Sequence, residues 1–274
     1  MEAHVPTTTP QVVAPDTWLI PNLAPAGDGL FLPVNSMVVR GAEPVIVDTG
    51  APVHRDLWLE KVFSIVEPED VRWIFLSHDD GDHTGGLLDV LDRCPQATLV
   101  TNFFSVERLA LEKPPLPVER MRWIEPGGSF DAGDRTFHLF KPPIFDGPAT
   151  RGLYDSKTAA MWIVDTFACL TTGAVHYVED LPADLVAENL PAMNSLVSPW
   201  HQWLDPAVYR HHVDEVEALG VLAVASAHGP IMRGDAIHRA FDSVRDLAGR
   251  PIIPPPGPEL LDRLVADMLA ATAV

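Results

Sequence analysis

Cysteine is nearly absent: Cys94 and Cys169 are the only two in 274 residues, and they stand far apart with no C-x-x-C spacing. That excludes a cysteine-ligated zinc or iron–sulfur centre within the chain and predicts two buried free thiols, in keeping with a reducing compartment. No apolar run approaches the roughly 18 residues needed to span a bilayer. The first residues, MEAHVPTTTPQVV, have neither a basic segment nor an apolar core of the kind a secretion signal needs. These absences predict a soluble, cytoplasmic protein. Positive charge is scarce as well, with 19 Lys and Arg against 38 Asp and Glu, a formal charge of −19. Such a surface repels phosphate backbones and anionic lipid, so neither nucleic acid nor membrane is an expected partner. The chain also lacks internal repeats, low-complexity tracts and any glycine loop of the kind that cradles phosphates.

What is present is dense punctuation by 18 Gly and 27 Pro, which cuts the sequence into short apolar runs. Runs at 17–21, 34–39, 44–50, 72–78, 97–102, 136–142, 160–166 and 221–228 are rich in Val, Ile, Phe and Trp and read as strands. Helical periodicity marks 54–66, 84–94 and 205–219, the last with Asp205 as N-cap and Pro206 in the first turn. Strands that come in runs, with helices between and after them, fit two packed sheets covered by helices better than a strictly alternating parallel sheet. Residues 1–248 are expected to form one domain. The proline-rich RPIIPPPGP (250–258) reads as a stiff connector within a 249–274 extension. Beyond it, 259–273 places Leu260, Leu261, Leu264, Val265, Met268 and Leu269 on one helical face. That face is expected to pack back on the chain's own core in preference to a dimer contact.

The stretch SHDDGDHTGG (77–86) carries the chemistry. It follows the apolar WIFL and precedes a helix. Two imidazoles and three carboxylates within six residues repel one another and shift each other's pKa unless a cation joins them. Glycines at 81, 85 and 86 allow tight folding, and imidazole with carboxylate suits zinc, iron or manganese. The bland alternative is a solvated acidic turn.

His78-x-Asp80-x-Asp82-His83 resembles the metal loop of the metallo-β-lactamase superfamily. Hydrolases of that superfamily usually carry His where Asp80 stands, whereas flavodiiron and related oxygen-binding diiron proteins carry a carboxylate. The surrounding segment 67–100 is also similar to the flavodiiron pattern, and the likeness runs from about Val13 to Gly234. It implies an α+β fold, a four-layer αββα sandwich, and three further ligands. Candidates follow His83 with 62, 18 and 62 residues lying between successive positions: Asp146, Asp165 and His228. Flavodiiron proteins normally have His at the first of these positions, so Asp146 departs from the pattern, and His138 is the alternative. By this resemblance His78, Asp80 and Asp146 hold one metal, Asp82, His83 and His228 the other, and Asp165 bridges them. Asp165 and Asp82 are the residues expected to matter most for catalysis. Asp48, in IVDTG, resembles an acid that orients the metal loop, or else is a turn former at a strand end.

Charge then bears on reaction class. Four carboxylates, Asp80, Asp82, Asp146 and Asp165, neutralise two divalent ions, which weakens Lewis acidity and favours iron, with manganese or zinc as alternatives. The expected function is therefore that of a diiron oxidoreductase that reduces O2 or NO, or of an oxygen binder. No flavin is expected on this chain, which has no room for a flavodoxin module, so a separate flavoprotein reductase is the expected electron donor. The alternative is a hydrolase of an ester, thioester, lactone or phosphoester, using a metal-bound hydroxide. Around the site, Trp200, His201 and Trp203 are read as packing before lid, and Phe145, Phe167 and Tyr154 as core side chains near the ligands. His211 and His212 point about 100° apart on a helix and are read as surface residues. Oligomeric state is open, with a homo-oligomer allowed.

Overall fold

The computed structural model describes residues 5–272, so His4 and the last residue of the expected C-terminal helix, at 273, lie outside them. The chain first lays down strands β1 (Gln11–Ala14), β2 (Thr17–Ile20), a β3–β4 hairpin (Leu23–Gly27, Leu30–Pro33), β5 (Ser36–Val39) and β6 (Val45–Val47). Helix α1 (Arg55–Phe63), β7 (Trp73–Phe75), the one-turn α2 (Gly81–Thr84), α3 (Leu87–Arg93), β8 (Thr98–Thr101), α4 (Phe103–Glu112) and β9 (Met121–Trp123) follow. The second half runs β10 (Ser129–Asp131), β11 (Thr136–Phe140), β12 (Gly152–Asp155), β13 (Ala160–Trp162), α5 (Ala183–Val197), α6 (Pro206–Glu217), β14 (Ala223–Ser226), β15 (Gly229–Arg233), α7 (Asp235–Arg245) and α8 (Pro258–Thr272).

Seven strands form one sheet in the order β1-β2-β5-β6-β7-β8-β9 and six form a second, β10 to β15 in sequence order. Alternation along the central strands builds the layers. Trp73 and Phe75 of β7 face the inter-sheet core with Phe137, Leu153 and Trp162, whereas Ile74 between them packs under α1 and α3 against Trp58, Val62 and Leu87. In the second sheet Trp162 points inward, and Met161 points out beneath Leu190, Val213 and Phe241 of α5, α6 and α7. Burial on both faces is why these strands read as continuous apolar runs. The result is the helix–sheet–sheet–helix sandwich that the motif implied.

All eight strands and three helices expected from sequence are present, shortened at their ends. Asp205 caps α6 by accepting from Ala207 N and Val208 N. Both cysteines are buried and free. Among the described residues no helix is long and apolar enough to cross a membrane. One expectation fails: α8 does not bury its apolar face on the body, since Leu261 and Leu264 are 62% and 57% exposed. Periodicity carries no information about which surface, if any, covers such a face.

Candidate metal centre

Every residue of the expected ligand set lies at one edge of the two sheets, on a loop or in the one-turn α2. His78 follows β7, His83 sits in α2, Asp146 lies between β11 and β12, Asp165 follows β13, and His228 stands between β14 and β15. Strands β13 and β14 run parallel, so their C-terminal loops emerge side by side. Two close approaches press α2 inward. A Cβ on Gly85 would meet Ala51 C and Pro52 N at 2.4 Å, and one on Gly86 would meet the Trp58 ring at 2.7 Å. Gly81 faces open space, so only two of the three glycines are sterically required.

The side chains converge in two groups. His78, Asp80 and Asp146 each offer an atom within 4.8 Å of one another, and so do Asp82, His83 and His228. Asp165 lies between the groups. Its Oδ2 is 3.6 Å from His78 Nε2, and its Oδ1 is 3.3 Å from both His83 Nε2 and His228 Nε2. His228 Nε2 is also 3.3 Å from Asp82 Oδ2, and His78 Nε2 lies 3.8 Å from Asp146 Oδ2 and 3.9 Å from Asp80 Oδ2. Donor atoms held by bonds of about 2.1 Å around one ion sit about 3.4 Å apart in tetrahedral geometry. Most of these spacings are of that size.

The outer nitrogens of the imidazoles say what belongs between them. His228 Nδ1 lies 2.9 Å from Pro33 O, a carbonyl that only accepts, so Nδ1 carries a proton. His83 Nδ1 is 3.0 Å from Asp48 Oδ2. Ser77 Oγ donates its proton to Asp48 Oδ2 at 2.7 Å and therefore accepts from His78 Nδ1 at 3.1 Å. All three neutral rings thus turn Nε2 lone pairs toward carboxylate oxygens. Asp165 Oδ1 is buried without a hydrogen-bond partner, its 3.3 Å approaches being ionic contacts and not aligned bonds. Lone pairs facing lone pairs call for cations.

Protonation of the metal-free chain tells the same story. Burial disfavours a charged His83, yet Asp48, Asp165 and Asp82 overcome it and hold its pKa well above the ordinary value. His228 is raised against burial by Asp165 and Asp82. Burial likewise opposes ionisation of Asp165, but His78, His228 and His83 keep its pKa well below the carboxylate range. Asp80 is raised to about 7 by burial and by Asp146. Protons here take the place of cations.

Of the supporting residues, Asp48 takes the orienting role that the resemblance implied, whereas Asn35 and Val164 were not legible in sequence. Asp48, fully buried, accepts from Ser77 N (2.7 Å), Ser77 Oγ (2.7 Å), Trp162 Nε1 (3.0 Å) and His83 Nδ1, so it orients the metal loop and ties it to the second sheet. Asn35 Nδ2 donates to Ser226 O and Gly229 O, both at 2.9 Å, and fixes the His228 turn. Val164 and Asp48 adopt left-handed φ angles of 59° and 56° beside the site. For β-branched Val164 this is strained by about 1–3 kcal/mol, and the bonds from Ala227 N and Ser226 Oγ to its carbonyl hold it there.

Other candidates fall away from the centre. His138 is exposed on β11, 6.4 Å from the Tyr154 ring, and joins no ligand group among the described residues. Phe167 packs on Phe241 in the outer core, while Phe145 stacks near Trp200 beside the Asp146 loop. His201 is buried between Ser195 Oγ and Leu247 O, and Trp203 is exposed. His211 is exposed beside Glu215, whereas His212 is partly buried.

The Metallo-beta-lactamase superfamily matches residues 29–186. Type A flavoprotein fprA of Rhodobacter capsulatus is 26% identical over 206 residues, covering 73% of this chain and 45% of that protein. Diflavin flavoprotein A 1 of Synechocystis is 24% identical over 215 residues, covering 75% and 35%. The chain therefore spans from about a third to just under half the length of these relatives. Among solved structures, rubredoxin oxygen:oxidoreductase from Desulfovibrio gigas superposes with a TM-score of 0.74 at 14% identity, covering 87% of this chain and 61% of that one. The flavodiiron protein of Giardia intestinalis gives 0.73 at 17%, covering 88% and 59%. The αββα frame, the converging acids and imidazoles and a match over more than half the sequence lead to one statement: the chain belongs to the metallo-β-lactamase superfamily, and the structures it resembles include flavodiiron proteins.

Proposed function

We propose that the chain is a diiron oxidoreductase of flavodiiron type that reduces O2 or NO. The reading rests on one observation above all: the two oxygens of Asp165 face separate imidazole sets, Oδ2 toward His78 and Oδ1 toward His83 and His228. His78, Asp80 and Asp146 would hold one iron, Asp82, His83 and His228 the second, with Asp165 between them. Bound iron would supply a redox couple and open coordination positions for small diatomic ligands. Four carboxylates offset the charge of two ferrous ions and make the higher oxidation state accessible, which favours redox over hydrolytic chemistry.

The protein's own contribution is orientation. Asp48 and Pro33 O keep the Nδ1 protons of His83 and His228 away from the pocket, so each ring presents an unprotonated Nε2. Asp80, 51% exposed, and Asp82, 35% exposed, leave the mouth of the site open to a small ligand. The electron source in this reading is a flavoprotein reductase, in line with the flavoprotein relatives.

Anaerobic loading with ferrous iron, followed by O2 or NO, tests the proposal. Two irons per chain and an absorption change on gas addition are expected, with steady turnover once a reductant is supplied. Ester hydrolysis by zinc-loaded protein, with no response of iron-loaded protein to either gas, would return the hydrolase alternative.

A further inference from the structure

Two cations that the functional reading does not use sit under the loops carrying Asp146 and His78. Lys141, just past β11, turns its ammonium inward, where it donates to Gly147 O at 2.9 Å and Thr150 O at 3.1 Å. It lies 3.9 Å from the centre of the Phe145 ring. These three residues bracket Asp146, and Thr150 Oγ1 donates to Asp146 Oδ1 at 2.6 Å. Arg151 comes next in the chain and is 0% exposed. Its guanidinium donates to Leu76 O at 2.7 Å and Ile124 O at 2.9 Å, its backbone N–H to Ser77 O, and its Nε has no partner.

Both cations therefore bond neutral carbonyls. Among the described residues neither has a carboxylate oxygen within 4.0 Å. A neutral donor would latch these loops as well, at far smaller desolvation cost, so the charge itself needs a reason. The reason lies next door. With Asp48 included, five acids surround the pocket, one more than two divalent ions neutralise. Asp146, a carboxylate where the family resemblance implies an imidazole, supplies that excess. Burial lowers Lys141 to about 8, opposed first by Asp146, and lowers Arg151 to about 10, opposed by Glu125, Asp48 and Asp79. Both remain charged at neutral pH.

We infer that Lys141 and Arg151 are positioning residues that act through charge: they anchor the Asp146 and His78 loops through carbonyl oxygens and leave their positive charge to offset the carboxylate excess of the pocket. The inference rests on the diiron reading for its redox consequence. A positive charge beside the pocket favours the ferrous state, because the ferric state carries more positive charge.

The test uses the full chain loaded with iron and poised at a fixed potential, with the ferrous-to-ferric ratio read by Mössbauer spectroscopy. Lys141→Met and Arg151→Met should each lower that ratio about tenfold, the scale of a unit charge acting across a pocket of effective dielectric ~20. Lys141→Arg and Arg151→Lys should stay within about threefold of the unaltered protein, because they keep the charge. Full iron content with an unchanged ratio in the Met variants would overturn the inference, as would charge-preserving variants that shift as far as the Met ones.

A second measurement needs no metal. In thermal melts of metal-free protein, Lys141→Met should cost much less in an Asp146→Asn background than alone, since the charge it offsets is gone. Additive losses overturn the inference even where Arg151→Met fails to fold. If the unaltered protein takes up no iron, the diiron reading fails, while this cycle still decides the role of Lys141.

Discussion

Replacing Asp48 by Asn isolates the contribution of one buried carboxylate to both fold and site. The backbone is not disturbed, because Asn tolerates the left-handed conformation at φ 56° as well as Asp does. What changes is the acceptor count. Asp48 Oδ1 takes Ser77 N–H at 2.7 Å, while Oδ2 takes Ser77 Oγ, Trp162 Nε1 and His83 Nδ1. An amide turned to keep Ser77 N–H sets its own NH2 against the Trp162 N–H, which cannot accept. Turned the other way, it sets NH2 against the Ser77 backbone N–H. Either orientation leaves a buried donor facing a donor, worth about 1–3 kcal/mol, and removes charge-assisted bonds worth about 1.5–3 kcal/mol. The expected loss is about 3–5 kcal/mol, a large part of the 5–15 kcal/mol that holds a typical domain together. Urea unfolding of metal-free protein measures it. In the folded fraction His83 loses its carboxylate partner, so affinity at the Asp82–His83–His228 position should fall about 10–100-fold in competition with a chromophoric chelator. A variant with unchanged urea midpoint and unchanged affinity would refute the role given to Asp48.

Three further outcomes follow from the same geometry. Asp80, near 7, and the raised His83 and His228 bind more protons folded than unfolded, so their contribution to the stability of the metal-free protein should decline as pH rises from about 5 to about 8, while His78, lowered by burial, works in the opposite sense. Metal affinity should climb over that range as ions displace those protons, and melting curves with and without chelator would show a flat or parallel response if the pocket were not the cause. Asp82→Ala and His83→Ala should each remove one metal per chain and abolish activity, whereas His211→Ala, at an exposed helix position, should do neither; elemental analysis decides. Gly85→Ala should destabilise the fold by about 1–3 kcal/mol, since its Cβ would strike backbone at Ala51 and Pro52 that cannot rotate away, and an unchanged melting temperature would contradict that packing.

Eight of the strands and the identity of the acids and imidazoles were legible in the residues alone. Short runs of Val, Ile, Phe and Trp between Gly and Pro are buried on both faces, and that pattern is local. The cluster at 78–83 was legible for the same reason: six adjacent residues concentrate charge that no ordinary turn needs. Sequence also showed the departure at Asp146, through its resemblance to a known pattern. What those residues do for one another is set by the fold. Asp48 meets Trp162 across 114 positions, Asn35 meets Gly229 across 194, and Arg151 reaches Leu76 across 75. Such partners are chosen by which strand ends lie side by side. The left-handed angle of Val164 was equally invisible, because it is settled by bonds from Ser226 and Ala227 and not by the residue itself. Local composition can name a ligand, but the direction in which its lone pair points is fixed by whatever the fold sets behind it.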